Sequence, residues 1–290
     1  MLQYTEPIDS VHHAQHCKTL LDVPFHTLAM ASIDTQQVIL SEKYTVNGRW
    51  IGLSDLIQNA TQQKYSISPE MNLPKSKQGV CFDVTTVQVR NETTLMTARD
   101  MVKDGKRPLV LNFANGTEVG GGFLRGARAQ EETLCYASTL YSTLVGDPFY
   151  RYNLEHAPTV STDYAILSQA VVFKDDKYTL IERPWIMDVL TAAAPIANTQ
   201  WGGVSQSVSA TLMDQRIARV LDIAIAYGYT DLVLGAWGCG AFGNDPVVIS
   251  RLFEKQLKQR QQYFETVYFT IADWSPERRF LGAFAETFSS

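Results

Sequence analysis

Cysteine is scarce in this chain. The 290 residues hold four, Cys17, Cys81, Cys135 and Cys239, with no C-x-x-C pair and no histidine at zinc-finger spacing. Four thiols are too few for a disulfide scaffold. They read as reduced cysteines of a cytoplasmic protein, and no metal or cofactor is expected. Long apolar runs are also missing: none approaches the ~20 residues of a membrane span, so no membrane partner is expected. The opening MLQYTEPIDSVHHAQH has neither the basic start nor the apolar stretch of a secretory signal. A protein delivered by a specialised secretion machine would look the same. Basic residues are in deficit, 25 Lys and Arg against 30 Asp and Glu, for a net charge of −5. That excludes the phosphate-neutralising footprint of a nucleic-acid binder. A small anionic ligand is still compatible, because backbone N–H groups and helix N-termini hold anions without adding to a charge count. No Gly-Lys-Ser/Thr closes a P-loop, and no G-x-S-x-G forms a serine-hydrolase elbow.

What is present is an ordinary globular composition, 45% hydrophobic and 19% charged, without repeats or low-complexity blocks. A domain of this size buries roughly 75% of the surface its unfolded chain exposes. The first 75 residues read as a helical extension packed on a core domain of residues 76–290. Met30–Leu40 and Leu53–Ala60 carry helical patterns, Asn47-Gly48 between them is a turn signal, and SISPEMNLPKSKQG reads as a linker. From Val80 onward strands and helices alternate. VCFDVTTVQV, PLVLNFA, YAILSQAVVF, WIMDVLTAAAP, DLVLGAW and VYFTIADW are strand candidates. SATLMDQRIARVLDIAIAYG is an amphipathic helix ending at Gly228, and Asp245-Pro246 opens another. This order predicts an α/β fold with a sheet covered on both faces.

Two glycine-rich stretches follow strands. In NFANGTEVGGGFLRGARAQEETLCYAS, the triplet Gly120–Gly122 lets a ligand approach the backbone, and ARAQEETLCYASTLYSTL reads as one helix. Gln130, Glu131 and Glu132 lie at its start, where acids are common simply because they suit the helix dipole. Adjacent helical residues point about 100° apart, so the two glutamates cannot serve one atom in the same way. The second stretch, LGAWGCGAFGNDP, offers backbone donors at a helix N-terminus but lacks the dinucleotide fingerprint. Either loop alone is as often a tight turn as a binding site. Two loops at strand C-terminal ends point to a ligand. His12, His13 and His16 also cluster, and a solvated N-terminus is the commoner reading of them.

The string GGGFLRGARAQEE at Gly120–Glu132, with LNFAN at Leu111–Asn115 and LGAWGCGAFGNDP at Leu234–Pro246, resembles the bacterial-type poly(ADP-ribose) glycohydrolases. The resemblance implies a macrodomain, a three-layer α/β/α sandwich around a mixed sheet. It implies hydrolysis of ribose–ribose bonds from chain ends, with poly(ADP-ribose) or an ADP-ribosylated protein as partner and ADP-ribose as product. A hydrolase of single protein-bound units and a non-catalytic ADP-ribose reader are the alternatives. By position, Glu132 becomes the catalytic acid, and Glu131 and Asn115 hold the ribose. Gly121, Gly122 and Gln130 contact substrate, while Gly238, Cys239, Gly240 and Ala241 cradle the diphosphate and Phe242 packs against the distal ribose. Two departures stand out: Val119 where a proline is expected, and Glu92-Thr93 where Asp-Thr is usual, which leaves the adenine contacts unassigned.

Overall fold

The computed structural model describes residues 1–76, 79 and 82–289. Val80 and Cys81, which open the first predicted strand, lie outside the described residues. In chain order the first part comprises β1 (Leu2–Ile8), α1 (Val11–Leu21), α2 (Phe25–Ser41), β2 (Lys43–Val46), β3 (Arg49–Gly52), α3 (Ser54–Gln62) and β4 (Tyr65–Ile67). Then come β5 (Thr85–Arg90), α4 (Thr94–Lys103), β6 (Leu109–Ala114), α5 (Gln130–Ala137), α6 (Leu140–Leu144), α7 (Pro148–His156), β7 (Ala165–Lys174) and β8 (Leu180–Ala193). The chain closes with α8 (Gln206–Ala226), β9 (Asp231–Leu234), α9 (Pro246–Arg260), β10 (Thr266–Thr270) and α10 (Leu281–Thr287).

Eight strands form one sheet in the order β1-β5-β10-β9-β6-β8-β7-β4. The six from β1 to β8 run parallel, and β7 and β4 are antiparallel to their neighbours. Alternate side chains of the central strands feed two cores. On one face Val87, Leu111, Leu232 and Phe269 pack with Ile217 and Leu221 of α8, Phe253 of α9 and Phe284 of α10. On the other, Val110, Val189 and Val233 pack with Leu28 of α2, Ala98 of α4, Leu134 of α5 and Phe149 of α7. The result is the sheet covered on both faces that the strand–helix alternation predicts, and the mixed-sheet, three-layer sandwich that the family resemblance implies.

Several local expectations are amended. The segment 1–75 holds the helices anticipated for it, and it also supplies both edge strands of the sheet. β1 pairs with β5, and β4, inside the stretch read as a linker, pairs with β7. Asn47 and Gly48, with φ of 49° and 73°, form the turn of the β2–β3 hairpin. The strand predicted from Val80 is seen from Thr85. The helix predicted through Leu144 is broken at Ser138, whose extended backbone bridges to Val172 of β7 while its Oγ accepts from Leu140 N (3.1 Å) to restart α6. Asp245 accepts from Val247 N (2.8 Å) and caps α9 with Pro246 behind it; Gly228, at φ 80°, follows α8.

Lys174, at the end of β7, is 3% exposed. Its Nζ donates to Ala31 O (3.2 Å) and Thr35 Oγ1 (2.9 Å) of α2, and burial lowers its pKa from 10.5 to about 8. Between those two values the unfolded chain binds a proton that the folded chain does not, so stability must rise with pH there. The burial penalty is therefore present below about 8 and is relieved on the way to 10.5. Urea unfolding midpoints should climb across this window in the wild type. In Lys174→Met that contribution to the climb should be gone.

Candidate active site

The parallel strands β5, β10, β9, β6 and β8 share one C-terminal edge, and both glycine loops leave from neighbouring members of it, β6 and β9. In open α/β sheets this edge is where ligands bind. A cavity of about 280 Å³ opens there. Its walls come from the residues after β5 (Glu92, Thr93), the end of β10 with Trp274 and Phe280, the second glycine loop, and Ala129, Gln130 and Thr133 at the start of α5.

The start of α5 is fixed by its own side chains. Gln130 Oε1 accepts from Phe113 N (3.0 Å), and its Nε2 donates to Leu111 O (2.8 Å), lashing the helix to β6. Glu131 and Glu132 are 2% and 6% exposed. Glu131 Oε2 accepts from Asn115 N (2.8 Å), and its Oε1 accepts from Asn112 Nδ2 (3.2 Å). Glu132, the third residue of the helix, reaches back so that Oε2 accepts from Ala129 N (3.1 Å), half of a capping box. Its other oxygen accepts from Gly122 N (2.7 Å). The bland reading of an acid in a first turn therefore holds for one oxygen of Glu132, and the glycine triplet claims the other. As the helical spacing required, the two carboxyls meet different partners.

Burial pushes the Glu131 carboxyl well above the usual range, with the neighbouring Glu132 charge adding to the push and the Asn115 and Asn112 donors opposing it. Glu132 is also raised, first by burial and against three backbone donors, with Glu118 as the charge that helps. Both groups are held toward the neutral, proton-bearing form. The thiol of Cys135 is driven up by burial first and then by the same two carboxylates, so it is inert as a nucleophile.

The second glycine loop forms the facing wall. Gly238, Gly240, Ala241 and Phe242 line the cavity, and their backbone N–H groups have no partner among the described residues. Such a row of free donors has the chemistry to hold an anion. Cys239 is placed differently: its side chain is buried in the core behind the loop, with Sγ 3.8 Å from Trp237 O. Asn115 Oδ1 accepts from Thr117 N (2.9 Å) and Glu118 N (3.0 Å), which shapes the first loop and leaves Nδ2 as the atom for a ligand.

Comparison with known proteins places the chain in a family. Residues 32–175 match the family model for the microbial-type PARG catalytic domain. No curated protein matches. A crystal structure of poly(ADP-ribose) glycohydrolase from Thermomonospora curvata is 30% identical, with a TM-score of 0.80, and the alignment covers 90% of this chain and 99% of that one. The chain belongs to the poly(ADP-ribose) glycohydrolase family. The same Thermomonospora curvata enzyme bound to the inhibitor ADP-HPD aligns at 32% identity over 90% and 99% of the two chains, with a TM-score of 0.80. The glycohydrolase of Deinococcus radiodurans in complex with ADP-ribose is 34% identical over 84% of this chain and 98% of its own, with a TM-score of 0.73.

Like its relatives in name, this glycohydrolase is a glycoside hydrolase with an α/β sheet at its centre. No helix among the described residues is long and apolar enough to cross a membrane. No group of three or more metal-capable side chains gathers among them either, the histidines of α1 included. Sequence reasoning missed much of the rim: Leu21 at the end of α1, Arg128, Thr270, Trp274 and Phe280 all line the cavity. Thr270 carried a usable signal, since it ends a parallel strand at the ligand-binding edge.

Proposed function

We propose that the chain hydrolyses the ribose–ribose bonds of poly(ADP-ribose) from chain ends and releases ADP-ribose. The observation that carries this reading is Glu132. It is a buried carboxyl held toward its protonated form and bonded to the glycine triplet; it lies just behind the cavity wall, between Gln130 and Thr133, which line the cavity, while Glu131, Glu132, Asn115, Gly121 and Gly122 do not.

In this reading the diphosphate of a terminal ADP-ribose lies on the N–H groups of Gly238, Gly240, Ala241 and Phe242, with the Phe242 ring against the distal ribose. Glu131 and the Asn115 amide hold the ribose whose bond is cut. Gly121 and Gly122 bring their backbone close to it. Glu132 gives its proton to the leaving 2′-oxygen while C1″ takes on oxocarbenium character. The nearby diphosphate stabilises that positive charge. The glutamate, now ionised, takes a proton from water as it attacks C1″, and the acid is restored. Gln130 spends both polar atoms on β6, so its contribution is to hold the helix that bears the pair. Cys239, expected from the resemblance to help cradle the diphosphate, donates its N–H to Ala236 O (3.1 Å) and buries its side chain in the core, so it shapes the loop and does not face the ligand.

The test is an incubation with polymer, with singly modified protein, and with free ADP-ribose. Release of monomer from polymer is the expected result. Release only from singly modified protein would point to a mono-ADP-ribosyl hydrolase, and binding without turnover to a reader.

A further inference from the structure

Arg216, on α8, is 2% exposed and lies in the layer away from α5. Burying a guanidinium is costly unless its donors are satisfied, and an apolar residue would usually pack such a place as well. Here the donors are spent on a particular set of acceptors. Nη1 donates to Val160 O (2.9 Å) and Ala193 O (2.8 Å), Nη2 to Ser161 O (3.2 Å), and Nε to Asp163 Oδ1 (3.1 Å). The fork thus joins the 160–163 turn to the last residue of β8.

Both of those segments press on one glycine. A Cβ on Gly116 would stand 2.1 Å from Ser161 Oγ and 3.3 Å from Ala193 Cβ. Ser161 reaches that position from a left-handed backbone, φ 56°, a conformation that a serine adopts at a cost and keeps only when its surroundings enforce it. Gly116 directly follows Asn115, whose N–H is the bond to Glu131. A path of direct contacts therefore runs from the guanidinium through Ser161 and Gly116 to the loop that holds the first carboxyl of the pair.

We propose that Arg216 is a positioning residue for bond cleavage: it clamps the 160–163 turn and the end of β8 about Gly116, and so fixes the Asn115 N–H against Glu131. This rests on the reading of Glu131 and Glu132 as the reacting pair. Lysine at 216 keeps the charge but replaces a planar fork spanning three carbonyls with a single point donor. Alanine at 116 pushes the loop from the other side, and glycine at 161 removes the atoms it would strike.

Steady-state turnover of polymer and the Kd for ADP-ribose would be measured for wild type, R216K, G116A, G116A/S161G and E132Q. R216K and G116A should each lower kcat about 10- to 100-fold, the scale of a small misplacement of reacting groups. Their ADP-ribose Kd should weaken far less than kcat falls, because only the ribose contacts of Asn115 and Glu131 are disturbed while Gly238, Gly240, Ala241 and Phe242 keep the diphosphate; a general loss of structure would move both alike. G116A/S161G should recover most of the kcat lost in G116A. If R216K does not fold, the G116A pair still tests the Ser161–Gly116 contact through which the guanidinium is proposed to act. Wild-type kcat in a folded R216K or in G116A, or no recovery in the double variant, would overturn the clamp while an inactive E132Q leaves the reacting pair standing. Full turnover by E132Q would instead remove the pair, and the clamp's role with it.

Discussion

Glu132→Gln should lower turnover of poly(ADP-ribose) by about 10³-fold, within the range general acid catalysis contributes, while ADP-ribose still binds. The amide matches the carboxyl in shape but has no proton to give the leaving oxygen. Its fit in the turn is imperfect. Glu132 accepts one N–H on each oxygen, from Gly122 and from Ala129, and an amide can accept only on its single oxygen. One of those N–H groups will face an NH2, which costs stability. Retained ADP-ribose affinity, measured by calorimetry, is the control that the turn persists. The equivalent change at Glu131 meets the same difficulty, with Asn115 N and Asn112 Nδ2 as its two donors. An E132Q protein with wild-type turnover would show that the proton comes from elsewhere.

The second large effect is expected at Gly121. Its φ of 57° lies in the left-handed region, and a Cβ there would stand 2.3 Å from Glu132 Oε1 and 3.1 Å from Glu131 Oε2. Gly121→Ala therefore carries a backbone cost of about 1–2 kcal/mol and a direct collision with both carboxyls. Gly105→Ala separates the two effects, because its φ is 79° and nothing lies within 4 Å of the added Cβ. Both variants should lose thermal stability, and G121A alone should lose turnover, by about 10²-fold. Equal activity in the two would mean that the glycine triplet serves the turn and not the carboxyls.

The parts of this enzyme legible in its sequence are those fixed locally. Short apolar runs between turn residues gave away β6 to β10, and the Asp245-Pro246 start of α9 follows from capping chemistry. The glycine loops and the Gln-Glu-Glu run sit on contiguous residues, so their chemistry could be read before any fold was known. What escaped depends on distant partners. β1 holds a proline and alternates only weakly, as an edge strand is free to do. β4 is three residues long and exists because β7 offers it an edge. Ser138 breaks a good helical pattern because a bridge to β7 outweighs local propensity. The cavity rim draws Leu21, Arg128, Trp274 and Phe280 from three separate regions of the chain. No spacing within a single segment could have joined them.

The strand order has a consequence for how the chain is made. β5, complete by residue 90, has β1 on one side and β10, residues 266–270, on the other. During synthesis its second edge stays uncovered until the roughly 180 residues from the end of β5 to the end of β10 have also left the ribosome. The loop that would bind the diphosphate, after β9, also arrives late. A growing chain therefore presents an unpaired parallel edge throughout the interval between β5 and β10, the circumstance in which nascent proteins associate wrongly or need a chaperone.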